Sequence, residues 1–280
     1  MTFTQKIFQK SSLIPMLLAI GFMFTTPMLI NAAAAPGGNG NNNNALLPEL
    51  QAVVPDQLNL VHKQQSDTLR FTNGIANLGP GHWQMEPTFP TDPNGDVVAT
   101  QQLLDADGNI VFETIVSTFE YHDEHNHWHI ADVTEFSVHA GSPDGPQVGD
   151  SNKVTFCVED VYNMIGNTNT ADRIFWDCTV SLQGVQAGWA DQYHQSTPGN
   201  QIDITGIAEG TYYLVHNVNP DGIFIEEDTT NNKAWAEFIV EHKNNGQLKI
   251  TETGITSCDT LDPDNIYTPA LCGEVTANRG

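Results

Sequence analysis

From about Leu47 the chain runs as short stretches rich in Val, Ile, Thr, Phe and Tyr, separated by turn-forming clusters. "DTLRFTNGIANL", "NIVFETIVSTFEY", "HWHIADVTEFSV", "KVTFCVEDV", "NQIDITGI", "GTYYLVHNV" and "AWAEFIVEH" read as strands, because β-branched and aromatic residues fit a pleated, half-buried surface. Several alternate: Tyr212, Leu214, His216 and Val218 share one face of a strand. "DPNGD", "DADGN", "SPDGP" and "NPDG" supply the Gly, Pro, Asn and Asp of tight turns. The glycines of "DADGN" and "DPNGD" are misplaced for a calcium loop between helices, so these are read as hairpin turns. No long amphipathic helix and no internal repeat breaks the texture. The pattern predicts an all-β fold, a β-sandwich-like core of short antiparallel strands with long loops, over residues 47–242.

The ends differ from this middle. Lys6 and Lys10 precede the apolar run "LIPMLLAIGFMF" and the small residues "NAAAAP", which predicts a secretory signal peptide over 1–34. The apolar run is too short and interrupted for a membrane span. Residues 35–46 are Gly/Asn-rich and are read as a linker. Residues 243–280 are read as a polar tail.

Charge and cysteine narrow the partners. The net charge is −24, from 34 acidic and 10 basic residues, and no acid falls in the first 35 positions. Such a chain is ill suited to nucleic acid or an anionic membrane. Four cysteines, Cys157, Cys178, Cys258 and Cys272, in an exported chain predict two disulfides, with the location secreted or periplasmic. Three connectivities are open, and proximity in sequence favours Cys157–Cys178 and Cys258–Cys272.

Candidate chemistry concentrates in "FEYHDEHNHWHI", which holds four of the chain's ten histidines: His122, His125, His127 and His129. On an extended strand His125, His127 and His129 share a face at about 7 Å spacing. A modest twist or bulge would bring three nitrogens to one ion at about 2 Å. His122 has the opposite parity and is placed on a bend or behind the ligands. Imidazole suits Zn, Cu, Fe and Ni alike. A second cluster, "IEEDTTNN", gathers the side-chain oxygens of Glu226, Asp228, Asn231 and Asn232; it suits Ca²⁺ or forms a capped acidic turn.

The histidine spacing resembles the copper-binding segment of the lysyl oxidase family. So do "LRFTNGIANLGPG", "NKVTFCVED", "CTVSLQGVQAGWADQY", "IDITGIAEGTYYLVHNVNP" and "IEEDTTNN", in the family's order. The resemblance implies a copper amine oxidase with a lysine tyrosylquinone cofactor. The precursors would be Lys153 in "SNKVTFC" and Tyr193 in "GWADQY". The reaction would use O₂ to turn a primary amine into an aldehyde, with release of H₂O₂ and ammonia. The resemblance also implies calcium at "IEEDTTNN" together with Glu49 and the Leu50 carbonyl. Peptidyl lysine, lysine-rich proteins, polyamines and small amines are all candidate substrates, and an acidic surface steers cations towards it.

The chain departs from the animal pattern at three points. Glu124 stands where a cysteine is common, and "CVEDVYNMIG" lacks a second cysteine, which leaves Cys157 and Cys178 to pair with each other. Phe136 stands where animal members carry a further histidine, so Asp132 and Asp191 become candidates for the base. The competing reading is a secreted copper- or zinc-binding β-sandwich module without a quinone.

Overall fold

The computed structural model describes residues 44–91, 97–123, 126–149, 152–165, 172–179 and 182–273. The predicted signal peptide, most of the predicted linker and the "DPNGD" stretch read as a turn lie outside them. The strands follow in order: β1 (Leu50–Lys63), β2 (Ser66–Asn77), β3 (Trp83–Thr91), β4 (Val97–Leu104), β5 (Ile110–His122), β6 (His127–Ala140) and β7 (Asn152–Phe156). Then come β8 (Tyr162–Asn163), β9 (Gln183–Val185), β10 (Trp189–Tyr193), β11 (Gln201–Asp203), β12 (Gly210–Val218), β13 (Lys233–His242) and β14 (Leu248–Thr256). One four-residue helix, α1 (Thr268–Leu271), closes the described chain. The fold is all-β, and the strand pairs among the described residues are antiparallel.

Two sheets form. The smaller runs β1-β2-β10-β8, with β11 also on β2. The larger runs β14-β13-β12-β6-β5-β4-β3-β9, with β7 also on β6. Their facing sides share one apolar core, where the ring centroids of Phe71 on β2 and Phe136 on β6 stand 4.8 Å apart. Both rings are fully buried, so truncating either would cost about 3–5 kcal/mol. "DADGN" turns between β4 and β5, with Gly108 at φ 81° and Asp105 accepting the Asp107 and Asn109 amides.

The chain is fixed earlier and later than its composition announces. Leu46 pairs with Leu104, and its carbonyl passes so close to Gly81 that a Cβ there would lie 2.0 Å from it. Only glycine admits that crossing. After residue 242, β14 extends the larger sheet along β13. Both predicted disulfides are present, Cys157–Cys178 and Cys258–Cys272. No helix among the described residues is long and apolar enough to cross a membrane.

Candidate functional site

β5 and β6 form a hairpin in which His122 pairs directly with His127 and Glu120 with His129. Partners across a ladder project to the same face. His122 therefore shares a face with His127 and His129. The parity count along a single strand, which set His122 apart, does not apply because the chain reverses between 122 and 127. Asn126 takes the left-handed φ of 55° and its N–H bonds the His122 carbonyl at 2.8 Å. His125 lies outside the described residues.

The Nε2 atoms of His127 and His129 are 2.8 Å apart, and the His122 ring lies 4.1 Å from that of His129. Two nitrogens bound at right angles, each about 2.0 Å from one ion, would stand about 2.8 Å apart. His129 Nδ1 meets Thr155 Oγ1 at 3.1 Å, the kind of outer hydrogen bond that orients a ligating imidazole. Among the described residues no group of three His, Cys, Asp or Glu is set to hold a metal. The pair fits copper as two nitrogen ligands and leaves the third to another histidine of the motif. On the opposite face Trp128 packs edge-on to Tyr121 at 5.0 Å.

β7 joins this centre to Tyr193. Thr155 reaches His129, the Phe156 ring lies 4.4 Å from the Tyr193 ring, and the Tyr193 hydroxyl donates to the Cys157 carbonyl. Lys153 is the second residue of the same strand, in register with Glu135 on β6. Cys178, bonded to Cys157, accepts the Trp128 N–H at 3.2 Å, and Gln183 Nε2 donates to the Trp128 carbonyl at 2.7 Å. Burial, then the Asp191 and Glu159 carboxyls, push the Tyr193 phenol well above its ordinary value.

The structure brings the second cluster together across the chain. Glu226 accepts from the Leu50 amide at 3.0 Å, from Asn219 and from Asn232. Glu49 accepts from the Asp228 amide at 2.8 Å and from Asn231. The Asp228 carboxylate instead accepts from the Thr230 amide and hydroxyl. Burial and the neighbouring Glu49 push the Glu226 carboxyl up against its hydrogen bonds, and the buried Asn232 Oδ1 has no hydrogen-bond partner. Paired carboxylates beside an unpaired amide oxygen suit a hard cation, so the residues fit calcium.

Phe136 is sealed in the core, stacked on His216 at 4.6 Å. Asp132 takes φ 60° at the irregularity between Ile130 and Thr134 in the β6–β7 pairing. Asp191, by contrast, is buried two residues from Tyr193. Asn73, Thr155 and Glu159 at this site went unnoticed in the sequence. For Asn73 a signal existed: it interrupts the inward series Leu69, Phe71, Ile75.

Comparison with known proteins points to one family. The family model described as lysyl oxidase matches residues 104–249. Lysyl oxidase homolog 1 of Homo sapiens is 36% identical over 117 residues, which cover 41% of this chain and 19% of that protein. Lysyl oxidase homolog 3A of Danio rerio is 31% identical over 113 residues, covering 40% of this chain and 14% of that protein. The matches thus span less than a fifth of the relatives' length. The family match takes in the histidine hairpin, β7 and Tyr193, more than half of the chain, and the chain belongs to the lysyl oxidase family.

Proposed function

We propose that this protein is a secreted, copper- and quinone-dependent amine oxidase that converts primary amines to aldehydes with release of H₂O₂ and ammonia. The carrying observation is β7. That strand bears Lys153 and the Thr155 hydroxyl that orients His129, and Cys157, the residue just after it, offers the carbonyl that holds Tyr193. His127 and His129, with a further histidine of the motif, would hold copper; Tyr193 and Lys153 would furnish the quinone. When bound, these groups supply the redox chemistry that side chains lack.

The chain's own residues supply orientation. Phe156 braces one face of the Tyr193 ring, and the Cys157 carbonyl holds its hydroxyl, so the ring has one place to lie. The Cys157–Cys178 bond and the Gln183–Trp128 contact tie β6 to that same point. A Lys153 amine becomes nucleophilic only when neutral. Glu49 and Glu226 would bind calcium in a structural role, clipping the start of β1 to the turn before β13. The test is H₂O₂ release from a panel of primary amines, with and without copper loading. Copper-dependent release is expected, and its absence for every amine from copper-loaded protein would favour the non-catalytic metal-binding reading.

A further inference from the structure

Tyr193 is the last residue of β10, and the ladder to β2 ends there, against Asn73. The chain next pairs with β2 at Gln201, directly opposite Arg70. Between the two, residues 194–200 run beside β2 with no strand pairing of their own. Arg70 holds them instead. Its Nε donates to the Gln195 carbonyl at 2.6 Å, Nη1 to Gln201 Oε1 at 2.9 Å and Nη2 to the Thr197 carbonyl at 3.0 Å. Thr72, on the same strand, accepts the Gln195 amide at 3.0 Å and donates to Gln57 at 2.8 Å. Asn200 closes the loop on itself, with its Nδ2 donating to the Tyr193 and His194 carbonyls, both at 3.2 Å.

The chain has 34 acidic and 10 basic residues, yet these three acceptors of Arg70 are all neutral oxygens. A guanidinium presents its donors as a rigid fork, and here each of its three nitrogens is engaged. Hydrogen bonds from a charged donor are roughly twice as strong as neutral ones. An ion pair would fix one side chain; this fork fixes the main chain at two points of the loop and the first residue of the strand that follows. The Tyr193 ring is held from the other side, by Phe156 at 4.4 Å and by the Cys157 carbonyl. Phe156 belongs to the larger sheet and Arg70 to the smaller. The tyrosine is thus fixed at its ring by one sheet and at its main chain by the other.

We propose that Arg70 is a positioning residue for Tyr193, clamping the loop after β10 so that the tyrosine ring keeps one place against Phe156. Its weight in the reaction rests on the amine-oxidase reading, in which Tyr193 is a quinone precursor. Arg70 acts through the loop and not on the ring. A reacting group tolerates little displacement, since about 1 Å of misplacement costs about a hundredfold in rate. Release of the loop also admits water to the phenol. Burial, then the Asp191 and Glu159 carboxyls, hold that phenol well above its ordinary value, and loss of the clamp lowers it.

The test is nitration by tetranitromethane, which modifies ionised phenols, with peptide mapping of the full chain before copper loading. Tyr212, buried in the larger sheet with its hydroxyl on the Ala208 carbonyl, is the internal control. Arg70→Ala should raise Tyr193 nitration about tenfold or more, since one pKa unit changes the ionised fraction about tenfold, and leave Tyr212 protected. Unchanged Tyr193, or Tyr193 and Tyr212 rising together, overturns the proposal. If Arg70→Ala fails to fold, Arg70→Lys decides. It keeps the charge but not the fork, so Tyr193 nitration should again rise, and protection equal to wild type overturns the proposal. After copper loading, the yield of the Lys153–Tyr193 crosslink should fall about tenfold to a hundredfold in Arg70→Ala at unchanged copper content. A yield equal to that of wild type removes the positioning role. A wild-type protein without the crosslink removes the quinone reading, and nitration then decides the clamp alone.

Discussion

His122 and His127 face each other as direct partners across the β5–β6 hairpin, and His129 lies two residues along the same face. Copper should therefore depend on residues from both arms of the hairpin. His127→Ala and His129→Ala are each expected to lose most of the bound metal, and His122→Ala to weaken it at least tenfold. Metal content after dialysis, measured by plasma spectrometry, checks all three. Stoichiometric copper retained in every variant would falsify the site.

Tyr193 and Lys153 are expected to be covalently joined in active, copper-loaded protein. A tryptic map should lack both unmodified peptides and show one crosslinked species. Lys153→Ala and Tyr193→Phe should fold yet release no H₂O₂. Tyr193→Phe also removes the hydroxyl's bond to the Cys157 carbonyl, at a cost of about 1 kcal/mol. Full activity in either variant would exclude the quinone.

Much of the fold could be read from alternation alone. Strand runs such as Tyr212–Val218 and the turn at Asp105–Asn109 stand where their residues place them, because strand period and turn chemistry are local. Pairing order is not local: nothing in "WADQY" announces that β10 lies against β2. The histidine site was half legible for the same reason. Shared parity put His127 and His129 on one face. That His122 shares their face was not legible, because the reversal involves Asn126 in a left-handed conformation, without the Asn-Gly or Asp-Gly signal of a tight hairpin. The meeting of Glu49 with Asp228, 179 positions apart, was visible only through family resemblance.

Calcium should stabilise the folded chain. Glu49 and Glu226 approach from opposite ends of the domain, and the buried Asn232 Oδ1 is unpaired. An ion that binds only the folded state contributes about 2.7 kcal/mol at a hundredfold excess over Kd. For a unit of this size that raises Tm by about 5–10 °C. Thermal unfolding in millimolar calcium and in EGTA should show this gap for wild type and lose it for Glu226→Gln. An identical Tm in both conditions for wild type removes calcium and leaves the copper site untouched.

His216 should make the acid limb of stability steeper. It is fully buried on β12, its Nδ1 lies 3.1 Å from the Val53 carbonyl, and its ring stacks on Phe136. Burial lowers its pKa from 6.5 to about 4, against the raising effect of the Val53 carbonyl. The unfolded chain therefore takes up this proton first as pH falls. The neutral ring's contribution is complete above about pH 6.5 and is lost progressively between 6.5 and 4, at up to 1.4 kcal/mol per pH unit. The whole loss is about 3 kcal/mol. Asp191, Asp160 and Glu159 act with the opposite sign, since their raised values favour proton uptake by the folded state as pH falls. The difference between wild type and His216→Gln isolates the imidazole. Urea unfolding at pH 7 and pH 4.5 should show wild type losing more stability than His216→Gln, by about 2 kcal/mol. Parallel losses in the two proteins would mean that His216 is charged, or exposed, in the folded state.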